Sequence, residues 1–213
     1  MPAIAFLCLV ATALPEIATG NAQPRVDYRL RFQLPFLGWS EVVRGNATST
    51  PTRTPVRETY EVSIVGLSLA ADLERRWTVE LGTGVVVTSG GLRGMIAARG
   101  GPLFTLVDHR RQEGGGSLLQ LAGLASVTYR GHAYHIIAEG GQRTVSIGAA
   151  AALEYTYFTS RTFGWSARAR PGFSYAVWQS GESVWTDTNE GAELWADGYL
   201  MQVGIAIDLG MVF

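Results

Sequence analysis

The sequence predicts an all-β fold, an antiparallel up-and-down β-barrel of eight strands. Two observations predict it. First, long stretches alternate apolar and polar residues with a period of two, as in "GYLMQVGIAIDLGMVF" at residues 198–213. This period is typical of a strand with two different faces and not of a helix. Second, long polar connections alternate with very short ones, as expected for strands that run up and down between two ends of one sheet.

The same alternation recurs along most of the chain. In "RVDYRLRFQL" at residues 25–34, Tyr28 and Phe32 have the opposite parity to Arg29 and Arg31. We therefore predict amphipathic strands with one apolar and one polar face. Comparable strands are predicted within residues 76–89, 117–130, 144–158, 163–177 and 198–213.

Two further segments alternate less regularly. Residues 58–73 are apolar at Val62 and Ile64 and then switch parity at Val65, which predicts a β-bulge. Residues 92–107 have mixed parity and include Pro102, which cannot donate a backbone hydrogen bond in a central strand. With this last segment included, the strand count is eight.

The connections fall into two classes by length. Residues 37–57 and 179–193 are polar and rich in turn-forming residues, which predicts long loops at one end of the barrel. The segments "DLERR" near residue 74 and "TSR" near residue 160 are short, which predicts tight turns at the other end.

The start of the sequence predicts an export signal. An apolar run covers residues 3–14, and Gly20 and Ala22 provide small residues for cleavage. A dozen apolar residues fall short of the roughly twenty that a spanning helix needs. We expect a signal peptide over residues 1–22, followed by a single β-barrel domain over residues 23–213. The one cysteine, Cys8, would leave with the signal peptide, so no disulfide is expected.

Composition argues against one class of partner. The chain has 213 residues, with 17 basic and 18 acidic side chains. Binding to nucleic acid requires a basic face that neutralises phosphates, so we expect no nucleic-acid partner.

Alternation alone leaves two kinds of barrel open. A soluble barrel of the lipocalin type encloses an apolar interior, whereas a transmembrane barrel has an apolar outside and a polar lumen. If both chain ends lie at the short-turn end, seven charges fall at one height. Paired charges are tolerable in a narrow lumen, while a solvated charged face is the alternative. The predicted lumen layer consists of Arg29, Arg31, Glu80, Glu154, Arg168, Arg170 and Asp208.

The aromatic residues also favour the transmembrane barrel. They gather in two groups at opposite ends of the strands, as aromatic belts do at the two membrane interfaces. The group near the short turns contains Trp77, Tyr155, Tyr157, Phe163, Trp165 and Phe213. The group near the long connections contains Tyr60, Tyr129, Tyr175, Trp195 and Tyr199.

With these features the chain resembles the small eight-stranded β-barrel proteins of the bacterial outer membrane. The stretch "VGIAIDLGMVF" is similar to the C-terminal signature of that family, although Met211 stands where an aromatic residue is common. The resemblance implies an outer-membrane location and contact with outer-membrane lipids. It also implies that the assembly machinery reads Phe213 during insertion. Within the barrel, Asp208 is expected to pair with Arg29 or Arg31 across the seam.

Several functions remain open at this level. The charged layer predicts a plug made of salt bridges, and its alternative is a porin-like gated path for small solutes. Outer-membrane lipid A deacylases and acyltransferases resemble this chain in size. Its candidates for such catalysis are His132, His135 and Glu139, but no nucleophilic serine with a base in reach accompanies them. We expect a non-catalytic protein with a structural or surface-contact role, without metal or cofactor; its loop partners stay open.

Overall fold

The computed structural model describes residues 26–34, 39–49, 52–88, 91–111, 114–134, 143–180, 183–187 and 192–213. Residues 41–49, 52–60, 88, 91, 132–134, 183–187 and 192–200 are described by their backbone alone. The predicted signal peptide, residues 1–22, lies outside the described residues. Within the described ranges, no helix is long and apolar enough to cross a membrane.

The described chain is all β, in a closed antiparallel barrel. It contains ten strand segments, all joined in one sheet. The segments are β1 (Val26–Leu34), β2 (Trp39–Ser49), β3 (Thr52–Leu73), β4 (Trp77–Thr88), β5 (Gly91–Asp108), β6 (Gly116–Tyr134), β7 (Arg143–Phe158), β8 (Gly164–Ser180), β9 (Ser183–Asp187) and β10 (Ala192–Val212).

We call each complete strand of the barrel wall a stave. The ten segments form eight staves, because two of the staves are each built from two segments. β1 and β2 follow one another along the same pair of neighbours, β3 and β10. β8 and β9 likewise pair in succession with the two halves of β10. The eight-stranded antiparallel barrel predicted from the sequence is therefore confirmed.

The barrel closes between its first and last staves. Tyr28 and Phe213 exchange two backbone hydrogen bonds, with N to O distances of 3.1 Å and 3.0 Å. From there β1 pairs with β10 in steady register up to Leu34 opposite Ile207. Both described ends of the chain thus lie at one end of the barrel, as an even number of staves requires.

That end, called the short-turn end below, carries the predicted tight turns. Leu73 accepts a hydrogen bond from the backbone N–H of Arg76 at 3.0 Å, with Glu74 and Arg75 both at positive φ. Two successive residues at positive φ are typical of a type I′ turn, which here forms part of a three-residue connection between Leu73 and its ladder partner Trp77. Residues 159–163 form the second predicted turn, in which the Ser160 hydroxyl accepts from the backbone N–H of Phe163 at 3.0 Å.

The prediction of long loops at the opposite end was wrong. Within residues 37–57, the segment Trp39–Ser49 and the first part of β3 form a hairpin, paired from Trp39 with Val62 to Ser49 with Thr52. Within residues 179–193, β9 pairs with the start of β10. A ladder whose backbone groups pair with each other needs no apolar face, so polar residues were a poor guide here. We call this the hairpin end.

The bulge predicted in residues 58–73 was also wrong. β3 pairs with β4 from Ser63 to Leu73 without a register shift. Val62 and Ile64 are buried, whereas Val65 is exposed, so one parity faces inward along the strand. The apparent switch arises because the lumen itself contains apolar side chains at this height: Trp39, Val62, Ile64, Val86, Met95, Ala97 and Ala206 form one buried cluster.

Residues 92–107 do form a strand, β5, despite Pro102. Pro102 stands opposite Trp77, the first residue of β4, and the ladder between β5 and β6 omits Gly101 and Pro102. The missing N–H therefore falls in a gap of the ladder. The mixed parity has a similar explanation, because Met95 and Leu103 are apolar residues that face inward.

Candidate functional site in the barrel lumen

The barrel has an inverted distribution of polarity. On β7, Glu154 and Thr156 are buried in the lumen, while their neighbours Leu153 and Tyr155 are 46% and 49% exposed on the outer surface. Thirty large apolar or aromatic side chains are exposed in this way across the described strands. Soluble proteins do not expose a continuous apolar surface of this extent.

The length of the apolar surface can be estimated on β7. Its outward positions from Val145 to Tyr157 are Val, Ile, Ala, Ala, Leu, Tyr and Tyr. Twelve residue steps of about 3.3 Å give about 40 Å along the strand, and a tilt of about 40° reduces this to about 30 Å along the barrel axis. This height is close to the roughly 25 Å apolar band of transmembrane barrels.

The lumen contains the seven charged side chains singled out in the sequence. All seven have side chains that are at least nine-tenths buried. Arg29 lies at the short-turn side of this group. Its Nη1 donates to Glu154 Oε1 at 3.0 Å and to the Thr156 hydroxyl at 2.9 Å, and its Nη2 donates to Gln120 at 2.6 Å.

Arg31 links two carboxylates from different staves. Its Nη2 lies 2.7 Å from Glu154 Oε2, and its Nη1 lies 3.1 Å from Glu80 Oε2. Glu80 also accepts from Arg168 Nη1 at 2.7 Å. The layer is therefore a branched network in which Glu80 and Glu154 each bind more than one guanidinium, an arrangement that offsets the cost of burying charge.

Asp208 pairs differently from the sequence prediction. Its Oδ2 accepts from Arg168 Nε at 2.7 Å and from Arg170 Nε at 3.4 Å, not from Arg29 or Arg31. The register explains the difference, because Asp208 stands directly opposite Arg168 on β8. On its other neighbour, β1, it stands opposite Gln33.

Two members of the network were not predicted from the sequence. Asp72 receives Arg29 Nε at 2.5 Å, and Arg99 Nη1 lies 2.5 Å from Glu80 Oε1. Asp72 shares the inward parity of Ser68 on β3, so an unbroken alternation would have found it. Arg99 lies on β5, where inward apolar residues hid the period. With them, the described layer contains five arginines and four carboxylates.

An apolar plug closes the lumen on the short-turn side of the charged layer. Leu118, Phe158 and Val212 form a buried cluster there, each at most 4% exposed. On the other side lies the apolar cluster around Trp39 and Ile64. Charge and apolar packing together fill the cross-section, as expected for eight staves.

The side chains of the candidate catalytic residues lie outside the described set. The backbone of His132 belongs to β6, while His135 and Glu139 lie outside the described residues. Among the side chains that are described, no group of three or more His, Cys, Asp or Glu could hold a metal ion.

The described residues of the two predicted aromatic groups lie near opposite ends of the strands, while Phe32 and Phe173 are exposed between them. Trp77, Tyr155, Tyr157, Trp165 and Phe213 are exposed near the short-turn end, where Phe163 and Trp165 also stack edge to face at 5.4 Å. Tyr129 and Tyr175 are exposed nearer the hairpin end. The side chains of Tyr60, Trp195 and Tyr199 lie outside the described set.

Fold and lumen together define a class: a closed eight-stranded antiparallel β-barrel with a packed, ion-paired interior and an apolar outer surface. No family model and no curated protein sequence matches the chain. Among solved structures, it is similar to the crystal structure of Neisserial surface protein A, with 7% sequence identity and a TM-score of 0.48. The match covers 87% of this chain and 95% of that one.

Proposed function

We propose that the chain is an integral protein of the bacterial outer membrane with a structural or surface-contact role and no catalytic activity. One observation carries the proposal: buried charges inside and exposed apolar side chains outside, as at Glu154 and Leu153. This arrangement is unfavourable for a barrel in water and is the one that a lipid bilayer requires. A soluble lipocalin-like barrel would need the opposite arrangement.

The packed lumen supports a structural role over transport. Solutes would have to displace both the ion-pair network around Glu80 and the apolar plug around Phe158. The paired strands at the hairpin end would stand beyond the apolar band and offer a surface for a partner. In this proposal a signal peptide at residues 1–22 directs export, and the assembly machinery recognises Phe213.

Cell fractionation tests the membrane location. We expect the protein in the outer-membrane fraction, with gel migration that changes on heating because the folded barrel resists detergent. Folded protein recovered from the aqueous fraction without detergent would overturn the proposal.

Two measurements test the role. Planar-bilayer recordings should show no steady conductance, since the lumen is filled. Lipid A mass spectra should be identical with and without the gene. A changed acyl pattern that disappears in His132→Ala or His135→Ala would replace the structural role by catalysis.

A further inference from the structure

The lumen contains a small cavity between the charged layer and the hairpin end. It has room for the centres of water-sized molecules over about 40 Å³. One water needs about 10–15 Å³ on this measure, so the cavity can hold a few waters or one small ion. Trp39, Met95, Arg99, Arg170 and Gln202 are among the residues that line it.

Two buried donors in the cavity wall have no hydrogen-bond partner among the residues that the structure describes. The Trp39 indole N–H is one, on a residue that is 7% exposed. The Nε2 group of Gln202, which is 4% exposed, is the other. An unsatisfied buried donor costs about 1–3 kcal/mol, so two in one cavity indicate an occupant that accepts hydrogen bonds.

The orientation of the Gln202 amide is set by its neighbours. Its Oε1 accepts from Arg130 Nη2 at 2.7 Å and from the Ser174 hydroxyl at 3.4 Å. A flipped amide would turn its NH₂ group towards the Arg130 guanidinium, which can only donate. The Nε2 group therefore remains a donor for whatever fills the cavity.

The charge of the cavity wall indicates which kind of hydrogen-bond acceptor the cavity would bind. Among the guanidinium groups that line the wall, Arg99 is ion-paired with Glu80 at 2.5 Å, whereas Arg170 lies further from its carboxylate. Arg170 has a single long contact with a carboxylate, at 3.4 Å from Asp208, and donates its Nη2 to neutral Gln33 at 3.0 Å. Positive charge in a low-dielectric enclosure favours an anion over water.

We propose that this cavity binds one small monovalent anion, of the size of a halide or formate, between the Trp39 N–H, the Gln202 amide and the Arg170 guanidinium. The plug at Leu118 and Phe158 closes the short-turn side, so the anion would enter from the hairpin end. Such a bound anion would offset the excess of arginines over carboxylates in the described charged layer and fix the wall residues in place.

Thermal unfolding of the folded full-length barrel in detergent tests the site. Ionic strength is held constant with sodium gluconate, whose anion is too large for the cavity, and is replaced stepwise by sodium bromide or by sodium formate. We expect the unfolding temperature to rise and saturate with either small anion. An unchanged unfolding temperature would mean that the cavity holds only water and would overturn the proposal.

Variants locate the effect. Trp39→Phe removes the indole donor but keeps an aromatic ring, and Arg170→Gln removes the charge; each should weaken the apparent anion affinity at least fivefold. Arg161→Gln, an exposed arginine in the turn at the short-turn end, is the matched control and should leave it unchanged.

If Arg170→Gln does not fold, Trp39→Phe alone decides the matter. Crystals soaked in bromide give an independent readout, because its anomalous signal should appear within hydrogen-bond distance of Trp39 Nε1. Retention of the full anion effect in Trp39→Phe together with a bromide peak elsewhere would contradict the site.

Discussion

Asp208 holds two arginines of the charged layer with one carboxylate oxygen. Its Oδ2 lies 2.6 Å from Arg168 Nη2 and 3.4 Å from Arg170 Nε, all in the buried lumen. Asp208→Asn keeps the shape but leaves these guanidinium groups under-compensated. We expect the free energy of unfolding to fall by about 3–5 kcal/mol, the usual cost of breaking a buried pair. Urea unfolding in detergent micelles, followed by gel migration, measures it.

Asp108→Asn provides the control for this variant. Asp108 pairs with Arg75 at 3.2 Å and with Arg110, but its side chain is 34% exposed at the short-turn end. Exposed pairs contribute about 0–1 kcal/mol. Equal losses for the two variants would show that the buried layer contributes no more than a surface pair.

Alternation places individual residues on a face but does not choose their partners. Arg29 and Glu154 could be assigned to the lumen from the period of two alone, and they lie there. The contact between them joins strands that are not adjacent in the sheet, so it depends on barrel diameter and stagger. No local pattern encodes these quantities, nor the register that places Asp208 opposite Arg168 on β8 and opposite Gln33 on β1.

The turn between β3 and β4 uses residues that suit it poorly. Glu74 and Arg75 adopt φ values of 49° and 57°, where side chains other than those of Gly, Asn and Asp are disfavoured. Glu74→Asn should therefore raise the free energy of unfolding by up to about 1 kcal/mol. Arg76→Asn, in the same turn but without positive φ, should bring no gain. Equilibrium unfolding of both variants in the same detergent measures the two free energies. An equal gain in both would contradict the turn argument.

The pairing of β5 with β6 depends on a close approach of two backbones. A Cβ atom added to Gly101 would lie 1.8 Å from the carbonyl oxygen of Gly123, whereas one added to Gly94 would meet nothing within 4 Å. Gly101→Ala should therefore push the two strands apart and cost at least about 1–3 kcal/mol. Gly94→Ala, on the same strand, should be neutral or slightly stabilising. Similar unfolding midpoints for both variants would contradict the close approach.

The strands that cross the apolar band could be predicted from the sequence, whereas their extensions beyond the band could not. Contrast between the two faces is strong where lipid-facing and lumen-facing positions alternate, as in β7. In the hairpin of β2 and β3 the sequence is rich in polar residues, and turn-forming residues such as Asn46 and Pro55 lie within the paired region. A ladder whose backbone groups pair with each other needs no apolar face, so hydropathy gave no sign of it.

For the whole molecule, we expect stability and assembly to depend on different residues at the short-turn end. Phe158 is buried in the plug with Leu118 and Val212, and its truncation to Ala should cost about 3–5 kcal/mol. Phe213 is 53% exposed and joins the seam through its backbone bonds to Tyr28, which Phe213→Ala retains. This second variant should change the free energy of unfolding by less than about 1 kcal/mol.

Assembly in cells should respond in the opposite order. If the machinery reads Phe213, Phe213→Ala should lower the amount of folded protein in the outer membrane severalfold, although the purified variant refolds normally in detergent. Phe158→Ala leaves that aromatic residue unchanged, so its insertion per molecule synthesised should stay closer to wild type despite its lower stability. Pulse-chase fractionation combined with refolding in vitro separates the two effects. If Phe213→Ala inserts as efficiently as the wild type, Phe213 acts only through the two seam hydrogen bonds, and the proposed recognition fails.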